Sequence, residues 1–186
     1  MVPRLRRILK RASGTGGPRL SRAARLLVAG NSAAALGTGL ILPLTLIYLH
    51  QVRNIELPLV GLLLTMSAVV GLVAVPLAGV LLDRFGPRVV LAIVTAGQAI
   101  GEASLAWSHS PLTAIPPLLL IGACSGSSFP ASNTMMAAIN PDPTRQQRAF
   151  AVSFTGINAG VGIGGAIGAA VADVHHVGSF QALFLV

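Results

Sequence analysis

The sequence predicts an all-α fold, a polytopic membrane helix bundle of about six transmembrane helices with the last one truncated. Three observations carry this. Only 10% of the residues are charged and mean hydropathy is +0.77, whereas soluble domains are roughly a quarter charged. Uncharged runs recur at Leu26 to Leu49, Leu57 to Leu82, Leu112 to Ile139 and Ala149 to Ala172, each longer than the roughly 20 residues that cross a hydrocarbon core. The link in Gly79-Val-Leu-Leu-Asp-Arg-Phe-Gly-Pro-Arg88 is short and carries two arginines, which suits a hairpin held at the membrane surface.

The tail over 1–25 is basic, and the membrane region follows over 26–186. Arg6-Arg7 resembles a twin-arginine signal and Ala33 to Ala35 a cleavage site, but only Leu26 to Gly30 could serve as the apolar stretch between them. A signal needs about 7–15 apolar residues, so the tail is expected to stay in the mature protein. Val2, Leu5, Ile8 and Leu9 fall near helical spacing among arginines, which fits a short helix on an anionic leaflet. A disordered anchor ending at Gly14 to Pro18 fits equally well. Val89 to Trp107 supplies a further span interrupted by Glu102, and another starts near Val177. Its ten residues to Val186 reach only about 15 Å, so the chain is expected to be a fragment of something longer.

Charge gives orientation. An N-terminus inside puts Arg4, Arg6, Arg7, Lys10, Arg11, Arg19, Arg22, Arg25, Arg84, Arg88, Arg145 and Arg148 in the cytoplasm and only Arg53 outside, the split expected of a multi-pass protein of the cell membrane. Membrane orientation thus accounts for the net charge of +8 without a nucleic-acid partner, since no aromatic residues are interleaved for base stacking. The single cysteine, Cys124, can form no internal disulfide. His50, His109, His175 and His176 fall on the outer side as solvated loop residues; the adjacent pair with no third ligand makes a poor metal site.

Gly79-x-x-x-Asp83-Arg84-x-Gly86-Pro87-Arg88 resembles the signature loop between the second and third helices of the major facilitator superfamily, with Pro87 where that family usually has a basic residue. Pro143-x-Arg145-x-x-Arg148 before the fifth span is similar to the family's link there. The resemblance covers nearly the whole chain, as the first six of twelve helices. It implies a secondary active transporter working by alternating access, with a small-molecule substrate, protons, the lipid bilayer and a missing C-terminal six-helix half as partners, and with no cofactor and no covalent catalysis. The matching aspartate in the family latches the two halves on the inner face, a role the resemblance carries to Asp83. Gly79 is expected to let a neighbouring helix approach, and Gly86 and Pro87 to break the helix. Asp83, costly to leave dry, is expected to find a cation or a helix N-terminus. A plain charge-topology role for the loop is the alternative.

Gly156, Gly160, Gly164 and Gly168 recur every fourth residue, drawing a side-chain-free stripe that admits close helix packing. At roughly 1 kcal/mol of helix propensity each, four in register point to packing. Gly160-x-x-x-Gly164-Gly165-x-x-Gly168-Ala169 is also similar to a degenerate fifth-helix motif of proton-coupled exporters, which normally has proline at the place of Gly165 and glycine at that of Ala169. Such exporters commonly carry a buried arginine in the fourth helix, and Leu112 to Ile139 contains none.

A substrate path requires inward polar groups on several helices. Asn31, Thr38 and Thr45 share a face of the first span; Ser125, Ser128 and Ser132 with Asn133 beside them share one in the fourth; Thr95, Gln98 and Glu102 form a third stripe. Glu102, Gln98, Asn31 and Asn133 are the candidate proton or substrate path. A carboxylate about 20 Å along its helix is expensive in lipid; one reading couples its protonation to transport, the other has it wetted from an outer vestibule and bonded to Gln98. Gly39 precedes Pro43, and Gly126 precedes Pro130, by four residues; inverted repeats make the first and fourth helices correspond, and such interruptions mark a binding region. No phosphate-binding Gly-x-x-x-x-Gly-Lys-Ser/Thr stretch occurs, which argues against an ATP-driven pump. Proton-driven export of a drug-like or amphiphilic molecule is the expected activity; a metabolite facilitator or importer and a non-transporting membrane partner are the alternatives.

Overall fold

The computed structural model describes residues 20–171. Five helices fill that range: α1 (Arg22–Ile47), continued by a π-helical turn over Tyr48–Val52, α2 (Leu57–Phe85), α3 (Pro87–Leu105), α4 (Pro111–Ile139) and α5 (Pro143–Val171). No strand occurs among the described residues, and each helix is long and apolar enough to cross a membrane. The surface helix proposed for the tail, the span from Val177 and His175/His176 lie outside the described residues.

The helices extend past the uncharged runs because their ends are capped by polar residues. Ser21 Oγ accepts from the Ala24 amide at 3.1 Å, so α1 starts ahead of Leu26. Asp142 Oδ1 accepts from the Arg145 amide at 2.9 Å, and Pro143 opens α5 where a missing amide costs nothing. In α4, Ser110 and Thr113 form a reciprocal capping box. Pro117 cannot donate to the Thr113 carbonyl, and Ser108 Oγ donates to it instead at 3.2 Å. Between α2 and α3 only Gly86 is non-helical, at φ 78°. The hairpin is therefore tighter than the interval between the runs that end at Leu82 and start at Val89, and it needs a residue without a Cβ at that one point.

Short loops make successive helices antiparallel. The start of α1, the Gly86 hairpin and the α4–α5 link share one end of the bundle, here the hairpin end; the α1–α2 and α3–α4 loops share the far end. Packing is inverted relative to a water-soluble protein. Leu72, Leu112 and Phe154 are 73%, 79% and 70% exposed, while Gly39, Gly71, Gly122, Gly160, Gly164 and Gly168 are buried. Lipid is as apolar as leucine, so large side chains gain nothing by turning inward and small ones let backbones meet.

Two seams dominate. The α5 glycines lie on α1: a Cβ on Gly160 would stand 2.5 Å from the Ser32 carbonyl oxygen, one on Gly168 2.8 Å from that of Leu40, and one on Gly164 would collide with that of Leu36. The stripe expected to pack does so along its length, with Gly156 over the Ser32 hydroxyl. The second seam joins α2 to α4, where a Cβ on Gly71 would stand 2.8 Å from the Gly122 carbonyl oxygen, and ones on Gly122 and Gly126 would strike those of Ser67 and Gly71. Exchanging α1 with α4 and α5 with α2 maps one seam on the other. Gly39 meets Val161 of α5 as Gly126 meets Gly71 of α2, so the two Gly/Pro interruptions seat corresponding helices on their partners.

The α3 helix packs on α4 through Gly97 against Cys124 and Gly101 against Ile121. At the far end Leu44, Tyr48, Leu49, Val60, Leu63, Leu105 and Leu118 form the largest apolar cluster, joining α1 to α4.

The seams give opposite signs for the same substitution two residues apart. Gly164→Ala should lower unfolding stability in detergent, since its Cβ strikes α1 backbone. Gly162→Ala, with nothing within 4 Å, should raise it by up to about 1 kcal/mol through helix propensity. Equal effects would refute the seam.

Candidate functional site

The predicted polar stripes resolve into groups that bond across helices and groups that serve their own backbone. Thr38 donates to the Ala34 carbonyl at 3.1 Å, Thr45 to that of Ile41 at 3.0 Å, Thr95 to that of Leu91 at 2.8 Å and Ser128 to that of Cys124 at 3.0 Å. These hydroxyls, expected to face a path, are satisfied one turn back in their own helices.

Asn31 behaves differently. Its side-chain amide donates to Ser132 Oγ at 2.7 Å and Ser153 Oγ at 3.2 Å, tying α1 to α4 and α5 in the hairpin half of the bundle. An amide in hydrocarbon costs several kcal/mol if unpaired; here one side chain bonds two neighbouring helices. Ser153 is buried and was not among the residues selected from the sequence. Asn133 follows Ser132 but is half-buried, and its side chain makes no hydrogen bond among the described residues.

Glu102 is half-buried in the last turn of α3, and Gln98 Nε2 donates to its Oε1 at 3.1 Å. The pair sits toward the far end, away from Asn31. The four residues selected as one path thus separate into an Asn31 node, a Gln98–Glu102 pair and an isolated Asn133. Along the α2–α4 seam, Ser125 and Ser67 line an open cleft of about 460 Å³, where Ser67 Oγ donates to the Leu118 carbonyl at 2.7 Å.

The far end holds a second node that the sequence reading missed. The π-helical turn widens the end of α1 and brings Arg53 under Tyr48, with Arg53 Cζ 4.9 Å from the ring centroid. Arg53 Nε donates to Tyr48 Oη at 2.8 Å, Tyr48 Oη donates to the Ala106 carbonyl at 2.8 Å, and Arg53 Nη1 lies 2.9 Å from His109 Nδ1. His50 Nδ1 lies 2.9 Å from the Ile55 carbonyl. Two histidines expected as bare loop residues therefore have protein partners. Tyr48 is the chain's one tyrosine and Arg53 the one cation outside the arginine-rich side, a coincidence that could have flagged the node. Among the described residues no three His, Cys, Asp or Glu side chains gather at metal-binding range.

The hairpin departs from expectation at two residues. A Cβ on Gly79 would meet nothing within 4 Å, so no described helix approaches it, because α3 packs mainly on α4. Asp83, expected to pair with a cation or helix end, is exposed and has no ion pair or hydrogen bond among the described residues. Water at the rim removes the desolvation cost that the expectation assumed. Arg84 lies over the Phe85 ring with Cζ 5.3 Å from its centroid, and Arg88 is exposed.

Replacing Asn31 by Leu should cost about 1 kcal/mol of stability, and an Asn31→Leu/Ser132→Ala cycle should be non-additive by about 0.6 kcal/mol. Strict additivity in reversible detergent unfolding would deny the node.

Comparison with known proteins places this architecture. The family profile described as Major Facilitator Superfamily matches residues 27–186. An uncharacterized MFS-type transporter of Bacillus subtilis (strain 168) is 31% identical over 169 residues, covering 89% of this chain and 40% of that protein. The Na(+), Li(+), K(+)/H(+) antiporter of Planococcus maritimus is 33% identical over 116 residues, 60% of this chain and 27% of that protein. The quinolone resistance protein NorA of Staphylococcus aureus is 26% identical over 141 residues, 76% of this chain and 36% of that protein. The chain thus spans at most 40% of the length of these relatives.

Proposed function

This chain belongs to the major facilitator superfamily of multi-pass membrane transporters, and on that premise we propose that it forms the amino-terminal six-helix half of a proton-coupled exporter of small drug-like or amphiphilic molecules. The two halves rock about a central cavity while the proton gradient supplies the driving force. The hairpin end faces the cytoplasm of the cell membrane, as the placement of twelve of the thirteen basic residues favours. The small molecule, protons, the bilayer and a C-terminal six-helix half are its partners.

The observation that carries this reading is the hairpin rim. Asp83 is exposed and unpaired among the described residues beside an open Gly79, which leaves a carboxylate and a flat helix surface available to a second half. Asp83 serves there as the latch, with Gly86 setting the turn and Arg84 and Arg88 holding it at the membrane surface. The two named relatives, an antiporter and a quinolone resistance protein, favour exchange and export.

Glu102 is the proposed proton-bearing group. Among the four acidic residues of the described range, it alone is half-buried, in a helix that packs against α4. The Gln98 bond supports a second reading, a facilitator in which Glu102 is structural. Efflux from vesicles carrying the whole transporter separates the two: Glu102→Gln should cut gradient-driven transport by about tenfold or more and flatten its pH profile, and collapsing the gradient should abolish accumulation in the unaltered protein. A full rate and an unchanged pH profile in Glu102→Gln would contradict the proton role, and transport indifferent to the gradient would favour the facilitator.

A further inference from the structure

An open trough of about 490 Å³ runs from the hairpin end along α3, with Met135 of α4 on its other side, lined by Arg88, Leu91, Ala92, Ala96, Ala99 and Met135. Thr95 also lines it, but its hydroxyl is turned onto the Leu91 carbonyl at 2.8 Å, so the walls present hydrocarbon. The three alanines make a shallow floor. Arg88 stands exposed at the mouth, and no carboxylate is among the lining residues.

Dimensions and charge restrict what can lie there. From Arg88 to Ala99 the helix rises about 16 Å, close to one leaflet of a hydrocarbon core about 30 Å thick. A transmembrane helix laid over the trough would take the Arg88 charge out of water with no acid in the lining to meet it, which is costly. A drug-sized ligand is oriented by several polar groups in its pocket, and here only the cation at one end is available. An acyl chain with an anionic head has the matching form, apolar for one leaflet and negative at the surface. Guanidinium binds phosphate through paired charge-assisted hydrogen bonds, and basic pockets between transmembrane helices recognise anionic lipid headgroups.

We infer that this trough binds one anionic phospholipid from the leaflet on the hairpin side, its phosphate on the Arg88 guanidinium and one acyl chain along Leu91, Ala92, Ala96 and Ala99. The chain stops short of Glu102, one turn farther along α3. The hairpin that carries Asp83 is thereby joined to the lipid composition of the membrane, since the lipid grips the first turn of α3 directly after Gly86.

The test is native mass spectrometry of the delipidated protein titrated with phosphatidylglycerol or with phosphatidylcholine of the same acyl chains. The unaltered protein should bind one phosphatidylglycerol about fivefold more tightly than phosphatidylcholine, the worth of one cation at the surface. Arg88→Gln should erase that preference while Arg88→Lys keeps most of it. Ala96→Phe, an exposed position where folding is not at risk, should fill the trough and weaken both lipids about tenfold with Arg88 intact. Equal affinity for the two lipids in the unaltered protein, or undiminished binding in Ala96→Phe, would overturn the assignment. Absence of any retained lipid would overturn it too, and would give the trough to a covering helix.

Discussion

In a bilayer, the contact between two helices brings no gain from leaving water, and the rest of this structure is arranged around that constraint. Association must come from backbone proximity, where many weak dispersion contacts add up, and from the few polar groups that lipid cannot satisfy. The α1–α5 and α2–α4 seams meet the first requirement with buried glycines against carbonyl oxygens. Large residues such as Leu72 and Phe154 are left facing outward. The two seams are related by exchange of α1 with α4 and α5 with α2, so one packing solution is used twice in a single half.

Polar groups are used sparingly on this frame. Asn31 joins three helices in the hairpin half, and Tyr48 with Arg53 joins the end of α1 to the end of α3 in the far half. Between them, most hydroxyls return to their own helix. The bundle is therefore pinned by polar bonds near both ends.

Much of this was legible in the sequence, for reasons that differ by feature. The α5 stripe was legible because four glycines at one spacing have few readings, but the spacing names a face and not the helix it meets. Gly86-Pro87 was legible because glycine admits the positive φ a tight turn needs and proline fixes its own φ covalently. The α2 seam was hidden, since Ser67, Gly71, Ala74 and Ala78 mix three residue types inside an apolar run, although they share one buried face. The polar stripes could not say whether a hydroxyl bonds across a gap or one turn back, and Thr38, Thr45, Thr95 and Ser128 all bond one turn back. The Tyr48–Arg53 node depends on a π-helical turn, which has no spacing signature. The lack of a partner for Asp83 among the described residues was not legible, because the sequence does not show that the rim is open there.

The central claim, that glycine seams set which helices pair, is tested most directly by disulfide trapping in native membranes on a Cys124→Ser background. A Cβ on Gly156 would stand 3.4 Å from Ser32 Cβ, near the spacing a disulfide requires. Ser32→Cys/Gly156→Cys should therefore cross-link α1 to α5 on mild oxidation, whereas Ser32→Cys/Gly162→Cys should stay reduced. Cross-linking of both pairs alike, or of neither, would contradict the seam and the helix pairing built on it.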